Sequence, residues 1–180
     1  VTGGEPLMQI DFVIKLFMEA KKRNIHTCLD TSGITFSNEE KILTQFDTLM
    51  QYTDLVMLDI KHINENEHIK LTGFSNKNIL EFAEYLCKKN VSIWIRHVVV
   101  PNITDNYDSL YKLGYFIGRL RNLKALDILP YHDMGKNKYH ELGLHYPLEN
   151  TPALDKQTAI KARDVIMSGI KAYLKDNPIL

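Results

Sequence analysis

Asp54-Leu55-Val56-Met57-Leu58-Asp59-Ile60-Lys61 decides the fold. Four consecutive apolar residues, two of them leucines and one β-branched, read as a buried strand of the parallel type. The run stops abruptly at an acid and a base, which places charge at its carboxyl end. Upstream, Ser37-Asn38-Glu39-Glu40 has capping-box form and opens a helix through Ile42, Leu43, Phe46 and Leu49. Downstream come a short helix near 65–71 and a longer one near 77–89, which buries Ile79, Leu80, Phe82, Ala83 and Leu86.

The same alternation continues in both directions. Residues 9–23 carry Ile10, Val13, Ile14, Phe17 and Ala20 at helical spacing and end in Lys21-Lys22-Arg23, favourable at a helix C-terminus. Ile25 to Leu29 reads as a strand with Asp30-Thr31-Ser32-Gly33 as the loop at its end. Val91 to Val100 is rich in β-branched and aromatic residues and stops at Pro101. A helix over 107–120, a strand over 126–129 closed by Pro130, and a helix over 156–174 complete the order. Strands alternating with helices predict an α/β fold with a parallel sheet, barrel-like or doubly wound. Residues 1–180 read as one domain. Tyr131 to Pro152 is the one long stretch without periodicity, and loops of that length in α/β domains are more often functional than idle.

Composition narrows the function classes. Of 180 residues, 44% are hydrophobic and 24% charged, with zero net charge, an ordinary globular balance that implies no broad basic face for nucleic acid. No apolar run approaches a membrane span, and the expectation is a protein without a signal peptide. The two cysteines, Cys28 and Cys87, sit in apolar elements and read as reduced thiols of a cytoplasmic protein.

Polar residues gather where the strands end, which is where ligands bind in parallel α/β folds. The ends carry Gly3-Gly4-Glu5, Asp30-Thr31, Asp59-Ile60-Lys61, Arg96 through Pro101, and Tyr131-His132. Glycine carbonyls and carboxylates accept bonds from an ammonium, lysine meets a carboxylate, and histidine reaches a sugar hydroxyl or a base edge. The set suits a zwitterionic amino acid joined to a nucleoside. Each member also has a plainer reading. Asp30 with Ser32 and Gly33 could be turn chemistry, Asp59 and Lys61 a solvated pair, and His132 a loop histidine. Arg96, inside its strand, either points into a barrel mouth or pairs with an acid.

Five blocks then carry a resemblance: Val1 through Leu7, His26 through Gly33, Asp54 through Lys61, Trp94 through Pro101, and Leu129 through Lys136. In order and spacing the chain resembles the pyruvate formate-lyase activating family of radical S-adenosylmethionine (radical SAM) activases. The resemblance implies an α/β, partial (β/α)6 TIM-like barrel with parallel strands, truncated at its N-terminus. It implies S-adenosylmethionine (SAM) held by Gly3, Gly4, Glu5, Asp30, Thr31, Asp59, Ile60, Lys61 and His132. It also implies an oxidoreductase whose whole protein cleaves SAM reductively with a 4Fe–4S cluster and places a glycyl radical on pyruvate formate-lyase, drawing on a flavodoxin- or ferredoxin-type reductant.

The family's Cys-x3-Cys-x2-Cys cluster motif does not occur in this chain. The expectation is a C-terminal piece, with the cysteines upstream of Val1 and no activity alone. An edge strand left uncovered at Ile25 to Leu29 would favour self-association. The alternatives are an activase of another glycyl radical enzyme (anaerobic ribonucleotide reductase or a diol dehydratase), a non-catalytic binding module on the same barrel, and an unrelated barrel enzyme using Asp59 and Lys61 as acid and base.

Overall fold

Four strands form one sheet in the order β1 (Cys28–Thr31), β2 (Leu55–Asp59), β3 (Ser92–Val99) and β4 (Leu123–Pro130). β1 with β2 and β2 with β3 are parallel pairs. These elements come from a computed structural model, which describes residues 1–178. The helices are α1 (Ile10–Lys22), α2 (Glu40–Met50), α3 (Glu65–Thr72), α4 (Lys77–Lys88), α5 (Tyr107–Ile117), α6 (Lys136–Glu141) and α7 (Lys156–Asp176); a 3-10 turn over Pro6–Gln9 leads into α1. No described helix is long and apolar enough to cross a membrane.

Two compact units emerge. The first comprises Val1–His97 with Arg119–Asp127, the second Val98–Gly118 with the chain from Ile128 onward.

In the first unit the strands are two-sided. Leu29, Thr31, Val56, Leu58, Ile93 and Ile95 are buried, while Cys28, Asp30, Leu55, Met57, Asp59, Trp94 and Arg96 are half-exposed. The alternation follows the two-residue period of a strand, and the ladder aligns each buried position with its neighbours. Beside the buried face lies an aromatic cluster. Phe36 and Phe46 meet edge to face at 5.1 Å, Phe82 lies 5.3 Å from Phe36, and Tyr85 stacks on Phe82. Gly33, at φ 71°, is required here because a Cβ would stand 2.7 Å from the Phe82 ring.

At the amino ends of β1 and β2, Asp54 is the lock. It accepts from Lys21 Nζ at 2.6 Å and from the Thr27 backbone N–H at 2.8 Å. Lys21 first, then the Thr27 amide, hold its carboxyl down at about 2.

In the second unit α5 lies directly on α7. Leu110, Leu113 and Ile117 are buried on one helix, Ala159, Ala162 and Ile166 on the other. A Cβ on Gly114 would come 2.0 Å from the Ile166 carbonyl oxygen, and one on Gly169 would come 2.2 Å from that of Tyr111. Both helices start on side-chain caps, Asn106 accepting from the Ser109 N–H and Asp155 from the Thr158 N–H.

Several boundaries differ from expectation. The first strand is Cys28–Thr31, not Ile25–Leu29, and Ile25 is exposed. The ladder sits later because Val1 runs beside it: the Val1 nitrogen donates to the Cys28 carbonyl at 2.6 Å, and the Asp30 N–H donates to the Val1 carbonyl at 2.9 Å. Asp30 and Thr31 are thus strand residues, not loop. The capping box at Ser37 does not form. Glu39 is the N-cap of α2 without a side-chain cap bond, and the Ser37 hydroxyl accepts from the Glu39 N–H in a local turn. The last strand begins three residues early at Leu123, and α6 interrupts the aperiodic stretch after Tyr131.

Candidate functional site

The site is built on the half-exposed face of β1, β2 and β3. Asp59 and Arg96 are register partners on adjacent strands. Asp30 stands on the same face one strand further away, opposite Met57. The Arg96 side chain therefore reaches across β2. Its Nε donates to Asp59 Oδ1 at 2.8 Å, and its Nη2 donates to Asp30 Oδ1. Lys61 Nζ adds a bond to the other oxygen of Asp59 at 2.8 Å. The result is an alternating row: Asp30, Arg96, Asp59, Lys61. Burial opposes the Arg96 charge, but the hydrogen bond and field of Asp59, with those of Asp30, outweigh it and raise its pKa. Arg96, Asp30 and Asp59 keep about a fifth of their side-chain surface, and Lys61 keeps 38%. Two negative and two positive groups at one strand-end cluster match a zwitterion better than a simple anion or cation.

Beside the row lies a glycine arch. Gly3 (φ 102°) and Gly4 (φ 59°) take a backbone conformation that favours glycine. Both are exposed, and a Cβ on either would meet nothing within 4 Å. Their N–H and C=O groups make none of the backbone bonds found for their neighbours. At one end of the arch the Thr2 hydroxyl donates to Asp30 Oδ2 at 3.0 Å.

At the other end is Glu5. Its Oε1 accepts from the Thr31 hydroxyl at 2.5 Å and the Leu7 N–H at 3.1 Å. Its Oε2 accepts from the Ser32 N–H at 2.9 Å and the Ser32 hydroxyl at 2.5 Å. Thr31 is itself buried, and its hydroxyl accepts from the Gly33 N–H.

Of the nine residues expected at the site, Gly3 and Gly4 form the arch, Asp30, Asp59 and Lys61 belong to the row, and Glu5 and Thr31 are bonded to each other beside them. Ile60 is different. Its side chain is fully buried, its N–H donates to the Arg96 carbonyl at 3.0 Å, and its carbonyl lies 2.7 Å from His97 Nδ1. His132 belongs to the second unit, exposed just after Tyr131. Tyr131 donates its N–H to the Val99 carbonyl, and its hydroxyl pairs with that of Tyr146 at 2.9 Å. Burial, then the bond to Tyr146, push the Tyr131 phenol up to about 12.

Sequence reasoning set Arg96 among the strand-end residues, pointing into a barrel mouth or pairing with an acid, but not among the SAM contacts; it pairs with two acids. Its signal was there: a lone guanidinium at an alternate position of a β-branched run, two residues after Trp94. Thr2 and Ser32 carried no signal of their own. Trp94, on the same face, has its indole N–H buried without a partner.

The described residues contain no group of three His, Cys, Asp or Glu side chains able to hold a metal. Cys28 and Cys87 are free thiols, and burial raises the Cys28 pKa. These side chains do not fit an iron–sulfur cluster. The open arch, with unused carbonyls beside paired charges, does fit the amino-acid end of SAM.

The model of the Radical SAM superfamily matches residues 1–114. The chain is 45% identical over 166 residues to a protein of Listeria monocytogenes named Pyruvate formate-lyase-activating enzyme, covering 92% of this chain and 67% of that protein. It belongs to the radical SAM superfamily, in its pyruvate formate-lyase-activating family. Relatives of the same name from Streptococcus mutans and Staphylococcus aureus are 51% identical over 149 residues and 47% identical over 162, covering 83% and 90% of this chain. This radical SAM chain spans 57% to 67% of the length of these three relatives. Among solved structures it is similar to a domain of pyruvate-formate lyase-activating enzyme from Bacteroides vulgatus, with a TM-score of 0.74 at 17% identity over 93% of this chain and 91% of that one. It is also similar to Streptococcus suis SuiB bound to S-adenosylmethionine, with a TM-score of 0.63 at 14% identity over 97% of this chain and 34% of that one. At these identities the likeness is one of fold. The α/β, TIM-like class implied by the family resemblance is the fold shared with these proteins.

Proposed function

We propose that this chain forms the SAM-positioning part of an activase that places a glycyl radical on pyruvate formate-lyase. The observation that supports it is the charge row Asp30–Arg96–Asp59–Lys61 beside the unbonded Gly3–Gly4 arch. Glycine carbonyls accept from the ligand's ammonium. Lys61, the most exposed member of the row, meets its carboxylate. Arg96 spans Asp30 and Asp59 and holds both carboxylates in place. SAM would supply the radical chemistry of this reading, and the chain's own residues would hold and orient it. None of them acts as a general acid or base.

The wider reading follows the family resemblance. The whole protein is an oxidoreductase of anaerobic metabolism, cytoplasmic, served by a flavodoxin- or ferredoxin-type reductant, with cluster ligands that are not among the described residues. This chain alone is inactive. It self-associates, which the exposed Met8 of the 3-10 turn and Phe12 of α1 support; light scattering giving a monomer at high concentration would count against that part.

Equilibrium dialysis with SAM tests the central reading. Asp59→Ala and Lys61→Ala are each expected to weaken binding, by about tenfold for a lost bond to a charged group. Unchanged affinity in both variants sinks the assignment.

A further inference from the structure

A carboxylate has about four acceptor sites on its two oxygens. The four donors on Glu5 come from Thr31, Ser32 twice, and Leu7. Glu5 has no acceptor site left for a ligand's ammonium. Three of these bonds, from Thr31 and Ser32, tie segments that lie 26 and 27 residues apart in sequence, and the fourth, from Leu7, is local. Charge-assisted bonds of this kind are about twice as strong as neutral ones, so the tie is firm.

The position of the tie matters more than its strength. The first five residues are fixed to the β1 strand and its following loop at two places. One is the Val1 and Thr2 end, through the Val1 nitrogen on the Cys28 carbonyl, the Asp30 N–H on the Val1 carbonyl, and the Thr2 hydroxyl on Asp30. The other is Glu5. Gly3 and Gly4 are strung between these anchors and make no backbone hydrogen bond of their own. A diglycine left to itself samples many backbone states and loses more freedom on ordering than any other pair. An arch clamped at both ends has lost that freedom before a ligand arrives.

We infer that Glu5 is a positioning residue and not a ligand: its carboxylate staples the Thr31–Ser32 turn to the chain and thereby presets the Gly3–Gly4 arch and, through the same strand end, Asp30. The inference rests on the SAM-positioning reading above and gives Glu5 a role in it without contact to the ligand. Preorganisation of this sort acts on affinity by reducing the ordering that binding demands.

The test is a double-mutant cycle on Glu5 and Ser32, read by two measurements on the same proteins. The first is amide hydrogen exchange at Ser32 and Gly33 without ligand. The second is the dissociation constant for SAM by equilibrium dialysis. Glu5→Gln leaves an amide NH2 facing donors. It is expected to speed exchange at Ser32 and to weaken SAM by about tenfold. Ser32→Ala removes one donor and is expected to weaken SAM less. The double variant is expected to bind no worse than Glu5→Gln alone, because the two residues share one set of bonds. Asp54→Asn, which breaks the lock at the opposite ends of the strands, controls for general loss of stability and is expected to leave SAM affinity unchanged. Additive losses for Glu5 and Ser32, or faster Ser32 exchange with SAM affinity intact, overturn the staple while leaving the SAM reading in place. No measurable binding by the unmutated chain overturns both.

Discussion

Arg96 Nε stands 2.8 Å from Asp59 Oδ1, and the two residues are direct partners in the β2–β3 register. The pairing uses only part of the guanidinium, and the rest reaches Asp30 on the far side of β2. A planar fork can satisfy two carboxylates at once, which an ammonium cannot do with the same geometry. Arg96→Lys should therefore keep one pair and lose the other. Arg96→Met should leave two half-buried carboxylates without their shared cation and destabilise the first unit by about 2 kcal/mol. Urea unfolding of the two variants checks the order, Met worse than Lys worse than the unmutated chain.

Gly114 and Gly169 set how closely α5 and α7 approach. Gly114→Ala would drive a methyl to 2.0 Å from a backbone carbonyl that cannot swing away. The helices must separate, at an expected cost of about 3 kcal/mol or more. Gly135→Ala is the contrast, since nothing lies within 4 Å of its Cβ and its backbone is right-handed helical. It should be neutral or slightly stabilising. Thermal melts of the two variants separate the cases.

Asp54 predicts a pH dependence. In the unfolded chain an aspartate titrates near 3.9, whereas here the bonds from Lys21 and Thr27 hold it at about 2. The unfolded state then binds the proton more readily, so this contribution is fully present above pH ~4 and is lost as the pH falls from there through 2. With 30% of the side chain in solvent, screening limits it to about 1 kcal/mol. Asp54→Asn should remove that slope, which urea titrations at pH 2.5 and 5.5 would show.

Phe82 is fully buried between Phe36 and Phe46, with Tyr85 stacked on it. Phe82→Ala should cost about 3–5 kcal/mol, the range for emptying a core aromatic. Phe82→Leu should cost less, and Gly33→Ala should be tolerated better in the Phe82→Ala background because the clashing ring edge is gone. A residual strain from the φ of 71° at position 33 would remain. Denaturant unfolding of the three variants and the double variant measures the coupling.

Element order was legible because the apolar periods are strong. The Leu55 to Leu58 run and the helical stripes of α4 and α5 announce themselves without help from distant residues. The first strand did not, because its position depends on Val1, which lies 27 residues away and pairs with Cys28 only in the folded chain. The capping box at Ser37 failed for a related reason: a serine that bonds its own turn competes with capping, and sequence does not say which bond forms.

The chain of residues by itself determined the alternation of strands and helices, the acids and bases at the strand ends, and the two glycines whose backbone freedom an open arch requires. Those features are local, fixed by side-chain period and by the lack of a Cβ. Only the tertiary structure decided who pairs with whom. It made Arg96 the bridge between Asp30 and Asp59, filled Glu5 with four donors, and buried Ile60. Partner choice among charges is set by strand register and reach, and those exist only once separate segments are brought side by side.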